Sequence, residues 1–330
     1  MAQYYSDIYP RYLRLAAILC LTAATIGLSD TAFGLTRAEL YQTVVPLADR
    51  SEASQSAAFS AALRVVLVRV TGRRTADEDP VFAPLLSNSR RYVQQYRGAP
   101  DGKLWVSFDG PAIERWLTQN GQPLWGHERP STFVWLDVQG GQPAAVVTAD
   151  DMSELKGIID AAAAVRGIPL IWPGAADVQK GSPVADTARA RGADAVLLGR
   201  ASNATAAGSV HWTFTFQDHS SEFSGPLEGV NRAADTYASL FAVSGSLAPV
   251  DIEVSRVADL HDYASVEGYL ESLTFVSHVS VLGLAGDIVS FRLSTRGGIE
   301  ALQHALALNG KLQSLPAAGD NGIQRFQLRR

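Results

Sequence analysis

The clearest pattern of apolar and polar positions lies between Ala188 and Ser202. Helix-favouring residues up to Arg191 are followed by Gly192, which can end a helix, and then by the uninterrupted apolar run from Ala195 to Leu198. Such a run is typical of a central parallel strand covered by helices on both faces. We therefore expect a strand there that is buried on both faces.

The preceding segments predict the rest of a βαβαβ unit. Phe133–Val138 and Ile168–Trp172 have the composition of strands, and between them apolar residues at helical spacing follow a capping-box pattern that starts at Asp151. Right-handed crossovers then imply a parallel sheet. Val210–Phe216 alternates apolar and polar residues, as an antiparallel strand with one solvated face does. The pattern predicts an α/β module with a parallel core and an antiparallel edge over residues 129–247.

A small α+β module is expected before it, over residues 35–128. An apolar stripe from Phe59 to Val70 predicts a core helix that Gly72 closes. Strands are predicted at Leu40–Pro46, Tyr92–Arg97, Leu104–Phe108 and Pro123–Trp125, and a second helix at Pro111–Asn120.

The last module, residues 248–330, shows the order βαββαβ, which is typical of a ferredoxin-like fold. A tight turn at Ala285–Asp287 predicts a hairpin, and Leu312–Leu315 is predicted to be the final strand of the set. A short strand near Ile323–Leu328 is expected to extend the edge of this sheet. The fold class is therefore a multi-module mixture of α/β and α+β.

Composition narrows the class of protein. The chain has 330 residues, which exceeds one ordinary core, and its 47% hydrophobic and 18% charged residues describe a folded protein. The net charge of −5 provides no electrostatic reason to bind nucleic acid or anionic lipid. Nucleic acid is therefore not among the expected partners.

The first segment, residues 1–34, has the features of a secretory signal peptide. Arg11 and Arg14 precede an apolar run from Leu15 to Leu28, and Ala32–Gly34 offers small residues for cleavage. We expect a periplasmic protein. An uncleaved N-terminal anchor facing the periplasm is the alternative, and membrane contact is expected only in that case.

The sequence contains no motif that specifies a reaction. The single cysteine, Cys20, lies in the signal segment, and no nucleophile elbow, phosphate-binding loop, dinucleotide fingerprint or His-Glu-x-x-His pair is present. His211, Asp218, His219 and Glu222 have zinc-binding side chains, but their spacing matches no ligand pattern and a polar turn requires the same residue types. No cofactor, metal or catalytic residue is therefore predicted.

Two groups of residues are candidates for a functional site. Trp125, Arg129 and Trp135 surround the first module junction, where exposed aromatic and arginine side chains would anchor a partner protein. Asp137 and Asp194 each sit at a predicted parallel strand, where carboxylates often face a ligand crevice. For Asp194, the loop chemistry between a helix and a strand is the alternative explanation.

Two resemblances bear on function. The first is carried by Val70–Arg73, Arg91–Tyr96, Val106–Phe108, Trp125 and Arg129–Trp135. Through these residues the chain resembles an uncharacterised proteobacterial exported family, domain of unknown function number twenty sixty-six. The resemblance covers nearly the whole mature chain, and it implies no activity or catalytic residue, because none is established for the family. Separately, Gly192–Gly199 resembles the helix-to-strand step of envelope proteins of the TolB amino-terminal and curli-secretion or lipoprotein-activator type. That likeness implies modules that bind other envelope proteins.

These observations favour a non-enzymatic periplasmic adaptor or assembly factor that acts through contacts with envelope proteins. The alternative is a small-molecule binding protein or hydrolase that uses a crevice in the 129–247 module. A purely structural component would differ from the adaptor only in stoichiometry and abundance.

Overall fold

The computed structural model describes residues 36–139, 145–205, 209–316 and 323–329, so the predicted signal segment lies outside the described residues. The helices are α1 Arg37–Leu40, α2 Glu52–Thr71, α3 Ala83–Ser87, α4 Gly110–Gln119, α5 Glu154–Arg166, α6 Ala175–Lys180, α7 Val184–Ala190, α8 Glu228–Phe241, α9 Leu260–Ser272 and α10 Gly298–Asn309, with 3-10 turns at Pro80–Phe82 and Ser89–Tyr92.

The strands are β1 Gln42–Pro46, β2 Val93–Ala99, β3 Lys103–Phe108, β4 Thr132–Val138, β5 Ala145–Val146, β6 Leu170–Ile171, β7 Ala195–Ala201, β8 Val210–Phe216, β9 His219–Ser224, β10 Ala248–Ser255, β11 Val276–Ala285, β12 Ile288–Thr295, β13 Leu312–Leu315 and β14 Gln324–Leu328. In the described residues they form three sheets. The first has the order β1-β3-β2, the second β5-β4-β7-β8-β9 with β6 also beside β4, and the third β11-β12-β10-β14-β13.

A row of packed helices links the three sheets. Helix α2 of the first module packs against α5, α5 packs against α8, and α8 packs against α10. Each sheet has its own cluster of buried apolar side chains, and the described residues belong to one compact unit. The mixed α/β class with several modules is therefore confirmed, while the exact module boundaries stay a prediction.

Helix ends follow local capping chemistry that differs in detail from the expected pattern. Helix α2 begins after Ser51, whose side chain accepts a hydrogen bond from the Ser54 amide, and ends at Gly72 in the left-handed region at φ 70°. Helix α5 begins after Ser153 and not at Asp151, whose carboxylate instead accepts from the Ser153 amide. The serine is favoured because its hydroxyl reaches the free amides of the first helical turn.

The expectation that β7 is buried on both faces is wrong. Along the strand, buried and more exposed residues alternate, and Leu198 and Arg200 are exposed. The reason is that α5 and α8 cover one face of the second sheet, whereas on the other face α7 packs only near the start of the strand, against Val196. The second sheet therefore leaves part of one face open.

Two other strand predictions also need correction. Pro123–Trp125 is no strand within the first module, because Leu124 instead forms an isolated bridge with Val243. The last strand, β14, does not extend the edge of the third sheet but lies between β10 and β13. In this position Phe326 and Leu328 are buried in the core of the third module.

A pair of glycine substitutions tests the helix packing. In α9, a Cβ at Gly268 would meet no atom within 4 Å, whereas in α8 a Cβ at Gly229 would lie 2.7 Å from the Trp212 ring. We expect Gly268→Ala to raise the unfolding free energy by about 0.5–1 kcal/mol, through helix propensity alone. Gly229→Ala should lower it, because Trp212 is buried and must shift. Urea unfolding measures both, and stabilisation by both changes would contradict the packing of α8 on β8.

Candidate functional site

Trp125 and Arg129 lie in the interior of the molecule. The Arg129 guanidinium stacks on the Trp125 ring, with its central carbon 3.9 Å from the ring centroid. It donates hydrogen bonds to five backbone carbonyls, those of Arg69, Trp125, Gly126, Arg166 and Gly167, at 2.8 to 3.2 Å. Both side chains are buried. In this structure they hold segments of the chain together and form no surface.

Two further buried arginines complete this cluster. Arg69 in α2 donates to the carbonyls of Glu39, Leu40, Gln42 and Ala164. Arg166, the last residue of α5, donates to the Gly72 carbonyl at 3.0 Å and to the Asp235 carboxylate at 2.5 Å. We call Arg69, Arg129 and Arg166 the arginine cluster. It joins the C-terminal ends of α2 and α5, where unpaired carbonyls carry partial negative charge.

Burial lowers the pKa of Arg129 and of Arg69. It lowers the pKa of Arg129 to about 9, and the neighbouring Arg69 cation lowers it further in the same direction. Burial also lowers the pKa of Arg69 to about 10. Both values lie above neutral pH, so these guanidiniums remain cations there and their hydrogen bonds to carbonyls are charge-assisted.

Removal of Arg129 is expected to destabilise the fold strongly. Arg129→Ala leaves buried carbonyls without donors and should lower the unfolding free energy by about 3–5 kcal/mol. Arg129→Lys keeps the charge but not the planar fork and should also destabilise. The control is Arg189→Ala, whose side chain is 76% exposed in an ion pair with Asp186 and whose loss should cost less than about 1 kcal/mol. Urea unfolding with equal effects for positions 129 and 189 would contradict the role of the cluster.

The two aspartates proposed to share a crevice lie at opposite ends of two neighbouring parallel strands of the second sheet. Asp137 is near the carboxyl end of β4, whereas Asp194 precedes β7, whose first residue pairs with Thr132 in parallel register. The offset of six residues corresponds to roughly 20 Å. Asp194 accepts hydrogen bonds from the Ser131 amide and hydroxyl at 2.7 and 2.8 Å. The contacts of Asp194 are therefore those of a loop between a helix and a strand. The structure does not bring Asp137 and Asp194 together.

The ionisation of Asp194 makes this loop sensitive to pH. Burial raises its pKa although the hydrogen bonds from Ser131 act in the opposite direction. The folded protein therefore binds more protons at this group than the unfolded chain, so its contribution to stability is present below the ordinary aspartate pKa and is lost as pH rises through the raised value. We expect this fall to be absent in Asp194→Asn, and urea unfolding from about pH 4 to 7 measures the difference. A difference of opposite slope would contradict the burial effect.

The open face of the second sheet brings together residues from four strands. Eight residues of this face line a concavity of about 750 Å³, and we call them the outer face: Trp135, Asp137, Leu198, Arg200, His211, Thr213, Glu222 and Ser224. Strand register arranges these side chains in two rows. One row runs Asp137, Arg200, His211 and Ser224, and the other runs Trp135, Leu198, Thr213 and Glu222.

The first row holds charged and hydrogen-bonding groups of both signs. Among the described residues, Arg200 has no ion-pair or hydrogen-bond partner, although it is directly beside Asp137 in register. Asp137 instead accepts from the Trp135 indole at 3.2 Å. His211 Nδ1 and the Ser224 hydroxyl are 3.0 Å apart. The outer face thus offers a cation, a carboxylate and an aromatic ring to a bound molecule.

The His211–Ser224 pair is the part of the outer face that most resembles a catalytic arrangement. The His211–Ser224 pair has two members of a nucleophile–base arrangement, yet in the described part of the chain no carboxylate contacts the His211 ring to orient it. His211 and Ser224 are also solvent-exposed on neighbouring outer strands. Zinc binding is not favoured either, because β8–β9 register places His211 opposite Ser224 and His219 opposite Phe216, on the other face. No group of three possible metal ligands occurs in the described residues.

Sequence reasoning found part of the outer face. Trp135 and Asp137 belong to separate sequence hypotheses, but they lie on the same face of β4 and hydrogen bond to each other. The sequence prediction does not include Arg200 and Leu198, because it treats the apolar run as a strand covered on both sides. The alternation of Leu198, Gly199, Arg200 and Ala201 is the pattern that could have shown a solvated face.

The fold and the outer face define a multi-module α/β protein with an open polar sheet face. Residues 35–126, the region of the first sheet, match a family described as Domain of unknown function (DUF8605). The match agrees with the expected likeness to proteins of uncharacterised function. The match confirms neither the resemblance to family number twenty sixty-six nor the TolB-type resemblance. The matched residues end before the outer face.

No curated protein matches the chain. No solved structure matches it either. Within the described residues, no helix has both the length and the apolar composition needed to cross a membrane.

Proposed function

We propose that this protein is an exported, non-enzymatic binding protein of the periplasm, an adaptor or assembly factor that contacts an envelope protein through the outer face. The observation that carries the proposal is the missing helical layer over β7 and β8. Helices normally cover both faces where strands are parallel, as β4 and β7 are. Here one face presents polar and aromatic groups in two ordered rows.

The chemistry of these rows supports a protein partner. Trp135 is half-buried and held by its hydrogen bond to Asp137, so it loses little freedom on binding. Arginine and tryptophan side chains contribute strongly to protein interfaces. Arg200 and Glu222 add opposite charges that would orient the partner. The proposal of export rests on the signal-like segment 1–34. The resemblances to family number twenty sixty-six and to TolB-type envelope proteins are further support for a role in the envelope.

A second candidate is small-molecule binding on the same face. Its support is the concavity of about 750 Å³, which lies within the usual size range of ligand pockets. Arg200 would bind an anionic group of such a ligand. A hydrolase has weaker support, since His211 lacks an orienting carboxylate among the described residues.

Site-specific photo-crosslinking in intact cells tests the protein-binding proposal. With the crosslinker at Thr213, in the middle of the outer face, we expect one envelope protein to be captured. Arg200→Glu should reduce that product at least about tenfold, which corresponds to 1.4 kcal/mol. The control position is Met152, which is 94% exposed and outside the outer face.

The outcomes separate the candidates. A product that persists in Arg200→Glu, or that forms equally from position 152, would show that the outer face is not the contact surface. Absence of any product, together with thermal stabilisation of the wild type but not of Arg200→Glu by an anionic small molecule, would favour the second candidate.

A further inference from the structure

Strand β11 is a free edge of the third sheet. It pairs with β12 from Val276 to Ala285, and its other side has no partner among the described strands. A free edge exposes backbone donors and acceptors that another strand can pair with. At ten residues, β11 is also the longest strand in the described part of the chain.

The composition of β11 does not protect this edge. Its only titratable side chain is His278, and it contains no proline. Proteins usually protect edges with charged residues, proline, bulges or short strands. Strand β11 has two bulges, between Val276 and His278 and between Val281 and Gly283, but no acidic residue, lysine or arginine and no proline to add to them. Strand β2 carries Arg97, β9 is mostly polar, β1 ends in Pro46, and β13 has only four residues.

Exposed apolar side chains concentrate on the second half of β11. Val281, Leu282 and Leu284 are 43%, 49% and 70% exposed. Val281 is opposite Phe291 and Leu284 is opposite Val289, two fully buried core residues of β12. Opposed residues in an antiparallel pair share a face, so Val281 and Leu284 extend the core-facing side of the sheet into solvent.

We infer that two copies of this chain associate through β11, antiparallel across a two-fold axis, and join their third sheets into one. An isologous contact requires a self-complementary strand, and β11 fits this requirement. With the axis between Leu282 and Gly283, Val281 of each copy is opposite Leu284 of the other. In the same register, His278 of each copy lies level with the Gly286–Asp287 turn of the other, so no charged side chain of one β11 is placed against the other.

The bulge at Leu282, the second of the two in β11, is compatible with this pairing. The register shift between Val281 and Gly283 makes Leu282 the extra residue, which is why Val281 and Leu284 share a face although they are three positions apart. Across the two-fold axis the bulges of both copies coincide. The apolar pairs therefore remain in phase, and no like charges are opposed along the strand.

Sedimentation equilibrium of the full chain tests the inference. We expect a monomer–dimer equilibrium for the wild type. Leu284→Lys places a charge opposite Val281 of the second copy and should weaken the dimer at least about tenfold. Met152→Lys is the matched control, since it changes a 94% exposed apolar residue elsewhere, and it should leave the dimer unchanged. Circular dichroism checks that each variant is folded.

Disulfide formation tests the register. In a Cys20→Ser background, a mixture of the Val281→Cys and Leu284→Cys chains should form a mixed disulfide faster than either chain forms one alone.

Three results would overturn the inference. These are a wild type that stays monomeric at about 100 μM, a dimer that Leu284→Lys leaves intact, and binding of a monomeric wild type to zwitterionic lipid vesicles that Leu284→Lys abolishes. The last result would assign the apolar edge to a lipid surface.

Discussion

The fold depends on cations that hold backbone carbonyls in its interior. Helices α2 and α5 end near each other, and Arg69 and Arg129 donate to carbonyls at those ends and in the strand and loop segments beside them. Without these donors, the carbonyls would be buried unpaired, at a cost of about 1–3 kcal/mol each. Arg166 extends the cluster to Asp235 in α8. The row of helices that links the three sheets is therefore tied together by guanidinium groups as well as by apolar packing.

The placement of the helices and strands also explains why the outer face and the β11 edge are exposed. Because α5 and α8 lie in the helical row, they cover one face of the second sheet and leave the other to α7, which reaches only the start of β7. The outer face results from this one-sided arrangement. In the third sheet, β14 lies between β10 and β13 and leaves β11 as an edge on the other side. Both surfaces follow from the placement of elements and not from a local motif.

The local sequence pattern predicts part of the outer face, but it does not predict the arginine cluster. Trp125 and Arg129 have the composition of an interface anchor, and only the structure shows that the chain uses it internally. Nothing local distinguishes a buried arginine that binds carbonyls from an exposed one, because its partners are distant residues such as Gly167 and Arg69. Strand position points to Asp137, and the module junction points to Trp135. Arg200 joins them only through the parallel pairing of β4 and β7.

The sequence by itself determined the mixed α/β class, most helices and strands, and the glycine ends at Gly72 and Gly167, because periodicity and capping are local properties. It also predicted the parallel core of the second sheet and its antiparallel edge, since connection length and handedness restrict the topology. The predicted parallel strands already imply that Asp137, near a carboxyl end, and Asp194, before an amino end, lie apart. Only the tertiary structure decided which faces are covered and that β14 is internal. These features depend on contacts between distant segments, whose energies no short stretch of sequence contains.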